Sequence, residues 1–283
     1  MQSIKTNQLT SVPLARRRRV LNAIWSSGCI LLLAGMYLPL LVVMLFSLNS
    51  SKFGTIWTGF TLDWYRNLLE NEAIQSACLV SLSLAVISTC ISTVLGTMLG
   101  LALSRSRFRM KAGVEFLLMI PVVVSDIVMA IALVSFFAFI RSMTGMFQLG
   151  LSAMVVAHVT FQLPFVALIV RSRMANLPAS IEEAALDLGA TPWQALRAVT
   201  LPLAIPGIAA GALLAFTLSL DDFIMSFFTS GPGSTTLPVL IYSSVKRGVS
   251  PEINAVSSIL LLISIALTTL SLRLQRQPTS TKQ

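Results

Sequence analysis

The chain has 283 residues, of which 55% are hydrophobic and only 11% charged, and its formal net charge is +9. Soluble domains carry about a quarter charged residues, so this composition excludes an ordinary soluble domain and indicates one membrane-embedded domain. Nucleic-acid binding is excluded as well, because the basic residues stand in short blocks between apolar runs and not on one soluble face.

Residues 1–22 form a basic segment that ends on Arg16 to Arg19 and a short linker. The apolar stretch that follows is too long for the 7–15-residue core of a secretory signal, so it reads as an uncleaved first span. Spans are predicted at about 23–48, 76–103, 114–140, 151–170, 203–227 and 254–272, each long enough to cross a hydrocarbon layer of ~30 Å. They are predicted to be helical because lipid offers no partner to backbone N–H and C=O groups. The fold class is therefore all-α: a polytopic membrane protein with six transmembrane helices over residues 23–272 and a short tail, 273–283. Cys29, Cys78 and Cys90 form no CxxC pair and read as packing residues of membrane helices.

Lys and Arg orient the bundle. With the N-terminus in the cytoplasm, 15 of the 20 fall inside: Lys5, Arg16 to Arg19, Arg105, Arg107, Arg109, Lys111, Arg171, Arg173, Arg197, Arg273, Arg276 and Lys282. Lys52, Arg66, Arg141, Lys246 and Arg247, the other 5, fall outside. The bias predicts that both termini are cytoplasmic, and an odd number of spans would part the Arg105–Lys111 and Arg171–Arg173 blocks.

Gly96 and Gly100 in the second span, and Gly207 and Gly211 in the fifth, form two GxxxG pairs that permit close helix approach. Between the first two spans, residues 49–75 carry Trp57, Trp64 and Tyr65, aromatics suited to the interfacial belt. Leu62 to Leu69 is predicted to lie there as a short amphipathic helix. Further along, Ser230-Gly231-Pro232-Gly233 is a strong turn signal, and Gly231, Pro232 and Gly233 are expected to belong to an outer gate or a partner contact. Lys246 and Arg247 read as a solvated basic end.

The cytoplasmic loop, 171–202, is long enough to be functional. Ser180-Ile181-Glu182-Glu183 has the S-x-x-E form of a capping box, and Ile181, Ala184, Ala185 and Leu188 then fall on one helical face. Gly189 fits the position that ends such a helix, and Thr191-Pro192 reads as the cap and first residue of a second. A membrane protein that presents a compact amphipathic helix to the cytoplasm implies a protein partner with a groove.

These residues carry a resemblance. Glu183-Ala184-Ala185, Gly189 and Leu201-Pro202 match the pattern E-A-A-x3-G-x9-hydrophobic-x-L-P, with Val199 where Ile is more usual. The segment resembles the coupling loop of type I ABC-importer permeases, which implies that permease fold. Leu218-Ser219-Leu220-Asp221-Asp222-Phe223, Thr236-Leu237-Pro238, Gly248 to Ala255, Asn49-Ser50-Ser51 and Asp126 to Ala130 are similar to the spermidine/putrescine permease subfamily. The resemblance implies a bacterial inner-membrane protein with two copies of a separate ATP-binding subunit, a second homologous permease, an extracytoplasmic substrate-binding protein and a polyamine substrate. Glu183 and Gly189 would be the sensitive coupling positions. It leaves spermidine and putrescine unseparated, and the loop alone is shared with permeases for other small solutes.

Acids within the spans are candidates for the substrate path. Asp126 is predicted near the bilayer midplane, and Asp221 and Asp222 toward the outer side of the fifth span. A carboxylate there costs at least ~2.5 kcal/mol unless it meets water, a partner or a cation. Polyamines are extended cations with methylene stretches, which call for separated carboxylates and aromatic surface such as Phe223, Phe227 and Phe228. Asp126 has a second reading as the cap of a helix broken near Pro121. Of Asp221 and Asp222, one is expected to face the path and the other to bond backbone groups. His158, the only histidine, reads as a packed helix residue.

No GxxxxGK[ST] phosphate cradle is present, so ATP must be hydrolysed on another chain. One histidine, scattered cysteines and no HExxH or GxSxG pattern give no catalytic residue, no metal site and no cofactor. An ion- or proton-coupled carrier or channel built on Asp126 and His158 is the competing class. It should show inverted repeats with broken helices, which are not evident, and would leave the coupling loop without a purpose.

Overall fold

The apolar runs fold as helices in the computed structural model of the chain, which describes residues 11–51, 56–105, 109–145, 148–248 and 251–275. In chain order these are α1 (Ser11–Phe46), α2 (Asp63–Asn67), α3 (Glu72–Arg105), α4 (Lys111–Val123), α5 (Asp126–Thr144), α6 (Leu151–Ala175), α7 (Ser180–Asp187), α8 (Pro192–Ala195), α9 (Leu201–Asp221), α10 (Ile224–Thr229), α11 (Leu237–Arg247) and α12 (Pro251–Gln275). Among the described residues six helices are long and apolar enough to cross a membrane, lying in α1, α3, α5, α6, α8 through α9, and α12. Lys5, Lys52, Arg107, Arg276, Lys282 and the Val249-Ser250 pair of the subfamily strings lie outside the described residues, as do 1–10 of the basic segment and 276–283 of the tail.

Two spans depart from the continuous helices expected. The third is split into α4 and α5 by extended backbone at Val124 and Ser125, both at ψ 139°. Asp126 opens α5, where its carboxylate complements the positive end of the helix dipole. The fifth span ends at Asp221; Asp222 is extended, with ψ 122°, and the chain re-enters helix as α10. Its carboxylate accepts hydrogen bonds from the backbone N–H of Met225 (3.2 Å) and Ser226 (2.8 Å), and so supplies the start of α10 with its acceptor. The second short helix expected in the 171–202 loop is also different. α8 runs through a π-helical turn, Leu196–Thr200, directly into α9, so it is the first turn of the fifth span's helix and not a separate one.

The centre of the bundle is α6, packed between α3 and α9. Both GxxxG pairs face it. A Cβ on Gly96 would stand 2.7 Å from Val166 Cβ, and one on Gly100 would stand 2.7 Å from the Ala167 carbonyl oxygen. From the other side, Cβ atoms on Gly207 and Gly211 would meet Arg173 Cβ at 2.7 Å and Val166 Cγ1 at 3.2 Å. Val166, Val170, Met174, Ala204 and Ala215 are fully buried in this seam. With no hydrophobic drive between helices in lipid, such close packing is what holds them together.

The two ends of the bundle are chemically distinct. At one end Arg171 pairs with Glu115 (2.9 Å) and Arg105 with Glu182 (3.0 Å), so the two basic blocks share a face, as six spans require. At the other end the link from α1 to α3 is tied down by buried Asn49. Its Nδ2 donates to the Ile56 carbonyl (2.8 Å), its Oδ1 accepts from Thr58 N–H (3.0 Å), and its own carbonyl accepts from Trp64 Nε1 (2.7 Å). Tyr65 Oη meets Ser47 Oγ at 2.8 Å. Trp64 and Tyr65 thus pack inward against Leu68, Ile74 and Val256 and are not free belt aromatics, whereas Trp57 stays exposed. The helix expected over Leu62 to Leu69 is the five-residue α2. Cys29, Cys78 and Cys90 are free thiols on the exposed surface of their helices and not packed between them.

The seam yields a prediction. Gly100→Ala presses a methyl against backbone that cannot yield and should destabilise the chain by about 1–3 kcal/mol. Gly113→Ala, in α4 with nothing within 4 Å, should be neutral or slightly stabilising. Thermal unfolding of the two variants in detergent checks the difference.

Candidate functional site

The loop after α6 is built around a helix too short to persist without help. Ala179 already turns helically, so Ser180 is the first residue inside α7 and makes no capping bond. The capping box expected at Ser180 and Glu183 is therefore absent. One forms instead at the start of α8, where Gln194 N–H donates to Thr191 Oγ1 (3.3 Å) and Thr191 N–H to Gln194 Oε1 (2.8 Å). The C-terminus of α7 is as expected. Gly189 takes a φ of +88°, its N–H bonds the Leu186 carbonyl, and Ala190 N–H bonds the Ala185 carbonyl, which completes a Schellman motif.

Glu182, which the sequence did not single out, anchors this helix. Its carboxylate takes Arg105 Nε at 3.0 Å and Thr200 Oγ1 at 2.9 Å, and so ties α7 to the ends of α3 and α9. Glu183 and Ala184 point outward, Ala185 is half-buried, and Leu201 and Pro202 lie exposed on the first turn of α9. Leu188 is 90% exposed and Trp193 68%, with Ile181 and Leu186 exposed beside them. The hairpin thus exposes apolar side chains together with the carboxylates of Glu183 and Asp187.

At the opposite end the break in the fifth span separates its two acids. Asp221 lines a cavity of about 670 Å³ together with Phe223, Tyr242, Asn254, Ser257 and Ser264, between α1, α9, α11 and α12. Ser264 Oγ donates to Asp221 Oδ1 at 2.6 Å. Phe223 and Tyr242 pack in a tilted pair, ring centroids 4.6 Å apart and planes at 45°, and Phe227 joins them at 5.3 Å from Phe223. Asp222 turns the other way, into the bundle; besides its two backbone bonds, its Oδ2 lies 3.3 Å from His158 Nε2. Asp126 stands exposed on the first turn of α5 and belongs to neither group.

His158 is buried, as its setting in the fourth span suggests, but it is more than packing. Nδ1 lies 2.8 Å from Ser219 Oγ and Nε2 3.2 Å from Ser226 Oγ. Ser219 Oγ meets Ser88 Oγ (3.3 Å), which accepts from Gln162 Nε2 (3.2 Å), and Gln162 Oε1 accepts from Ser92 (2.9 Å). The spacing was the available signal: His158 and Gln162, and Ser88 and Ser92, are each four apart, so each pair shares a helix face.

The Ser230–Gly233 turn closes over the link between α5 and α6. Gly231 abuts the Leu149 carbonyl so closely that no side chain fits, Gly150 N–H bonds the Thr229 carbonyl (3.1 Å), and Ser234 Oγ bonds both backbone groups of Gly231 at 2.8 Å. Gly233 takes a φ of +73°, and Pro232 sits between them. Among the described residues no group of three or more His, Cys, Asp or Glu side chains is placed to hold a metal ion.

Residues 92–277 match the family model described as binding-protein-dependent transport system inner membrane component. The chain is 42% identical over 246 residues to the spermidine/putrescine transport system permease protein PotC of Escherichia coli K12, covering 87% of this chain and 91% of that one. It is 42% identical over 228 residues to the putrescine transport system permease protein PotI of the same organism, covering 80% and 81%. Among solved structures, a bacterial ABC transporter involved in import of the acidic polysaccharide alginate superposes with a TM-score of 0.72 at 18% identity, over 94% of this chain and 98% of that one. The MetNI methionine ABC transporter superposes with a TM-score of 0.59 at 20% identity, over 77% and 98%. The all-α bundle is thus an ABC-transporter permease fold, and the chain belongs to the binding-protein-dependent inner-membrane permeases, in the group that holds the spermidine/putrescine permease proteins.

Proposed function

We propose that the chain is one of two homologous permease subunits of an importer, and that it passes a polyamine of the spermidine/putrescine class inward. The observation that carries the cargo class is the cavity at the fifth-span break. It sets one carboxylate, Asp221, beside the tilted ring pair of Phe223 and Tyr242, with Ser257 and Ser264 as further polar lining. A carboxylate matches an ammonium group, and ring faces match both the cation and the methylene stretch between cations. The relation to permeases of that group supports the same cargo. Asp126, exposed at the break of the third span, is a second carboxylate for the path; a bare charge there needs water, the partner permease or a cation. Asp222 serves the path indirectly, through the start of α10. The Gly231-Pro232-Gly233 turn, seated on Leu149 and Gly150, forms part of the outer gate.

Energy enters at the other end. α7 with Glu183, Ala184, Ala185 and Gly189, followed by Leu201 and Pro202, docks in a groove of a separate ATP-binding subunit. One copy of that subunit sits under each permease, because this chain carries no phosphate cradle of its own. The shared face of Arg105, Arg171 and α7 is then cytoplasmic, as are both termini. An extracytoplasmic binding protein delivers the cargo to the opposite face.

Two outcomes test this. Leu188→Asp places a charge on the docking face without touching the chain's own core. The complex should keep its two permeases, lose ATPase subunits on purification and lose ATP-dependent uptake into vesicles. Retained ATPase coupling would remove α7 from the docking role. Asp221→Asn should leave assembly intact and lower spermidine or putrescine uptake at least about tenfold, since a hydrogen bond to a charged group is worth ~1.5–3 kcal/mol. Normal uptake by that variant would remove the cavity from the path.

A further inference from the structure

We infer that His158 is the positioning residue of the fifth-span break: it holds Asp222, and through it α10, in place beside the cavity. The geometry points to this from both sides of the imidazole. Asp222 is an acceptor when ionised, so Nε2, 3.3 Å from its Oδ2, carries the proton. Nδ1 then accepts from Ser219 Oγ at 2.8 Å. The remaining bonds follow in one direction, with Gln162 donating to Ser88 and Ser88 to Ser219. A single chain of donors thus runs from Gln162 on α6 through Ser88 on α3 and Ser219 on α9 back to His158 on α6, and from it to the carboxylate. His158 is 2% exposed, and the Asp222 side chain only 10%.

The placement of α10 depends on that carboxylate. Asp222 takes two of the free N–H groups at the start of α10, those of Met225 and Ser226, and Ser226 Oγ is itself 3.2 Å from His158 Nε2. α10 carries Phe227, and the residue before it is Phe223, so its position sets the ring face that Phe223, Phe227 and Tyr242 form. Remove the imidazole and the carboxylate loses its side-chain partner in a buried site. It can recover partners only by turning toward water, which draws α10 away from α5 and α6. The effect on cargo rests on the proposed role of the cavity; the position of α10 does not.

The test reads that position directly. In the assembled importer, with Cys29, Cys78 and Cys90 replaced by Ser, Met225→Cys puts a thiol on the buried face of α10, where Met225 is 1% exposed. A membrane-impermeant maleimide added to right-side-out vesicles should modify it slowly. His158→Ala should speed modification at least about tenfold, the loss of one charged hydrogen bond opening the segment locally. His158→Gln, whose amide can still donate to Asp222, should restore most of the protection and most of the uptake, which loss of bulk alone would not predict. Equal protection in His158→Ala, or equal exposure in the Gln and Ala variants, overturns the assignment. If His158→Ala does not assemble, His158→Gln is compared with Asp222→Ala: a protected thiol in the first and an exposed one in the second supports it, and any other pairing overturns it. Slow uptake by Asp221→Asn with a protected thiol separates the two ideas, because that change affects the cavity and leaves α10 held.

Discussion

In a lipid environment a polar group that the chain buries is costly without a partner within the protein, and this one constraint organises both the fold and its functional ends. Backbone groups are satisfied by helix formation. Where a helix stops inside the bundle, a side chain has to take over. At the fifth-span break Asp222 does so for Met225 and Ser226. Ser, Gln and His side chains complete the chain across three helices, α3, α6 and α9. The break is therefore an ordered feature, held by directed bonds from Met225 and Ser226 and by the contact of Asp222 with His158.

Close backbone approach is the second half of the same design. Small residues bring α3 and α9 onto α6, and the narrow gap lets Ser88, Ser219 and His158 reach one another. Wider spacing at Gly96 or Gly211 would part the donors from their acceptors as well as lose contact. Packing and polar order are thus linked in the central seam, whereas α1, which rests on α12, carries mostly exposed apolar residues and is free to meet lipid or another chain.

The sequence made the six spans, the shared basic face, the GxxxG seam and the end of α7 legible, because each depends on local chemistry: apolar length, charge, absent side chains, or Gly189 at positive φ. What it hid depends on partners far apart in the chain. Glu182 and Glu183 are neighbours with the same side chain. Only the position of Arg105, on another helix, decides that Glu182 is anchored and Glu183 is free. Asp221 and Asp222 are alike in the same way, and the extended backbone at Asp222 sends one to the cavity and the other to His158. The π turn at Leu196–Thr200 was equally hidden, since nothing in its composition distinguishes it from an ordinary helical turn.

The two functional ends also differ in how they are mounted, and the difference suits opposite tasks. α7 is fixed to α3 and α9 by a carboxylate bonded to a guanidinium and a hydroxyl, so a force on its exposed face passes directly to the start of the fifth span. α9 runs the length of the bundle and ends at Asp221, where the helix is interrupted. The helix axis is interrupted after Asp221, so the residues beyond it can change their angle to α9 without deforming the close-packed seam. If α7 docks as proposed, movement applied there reaches, at the far end of α9, the place where Asp221, Phe223 and Tyr242 line the cavity.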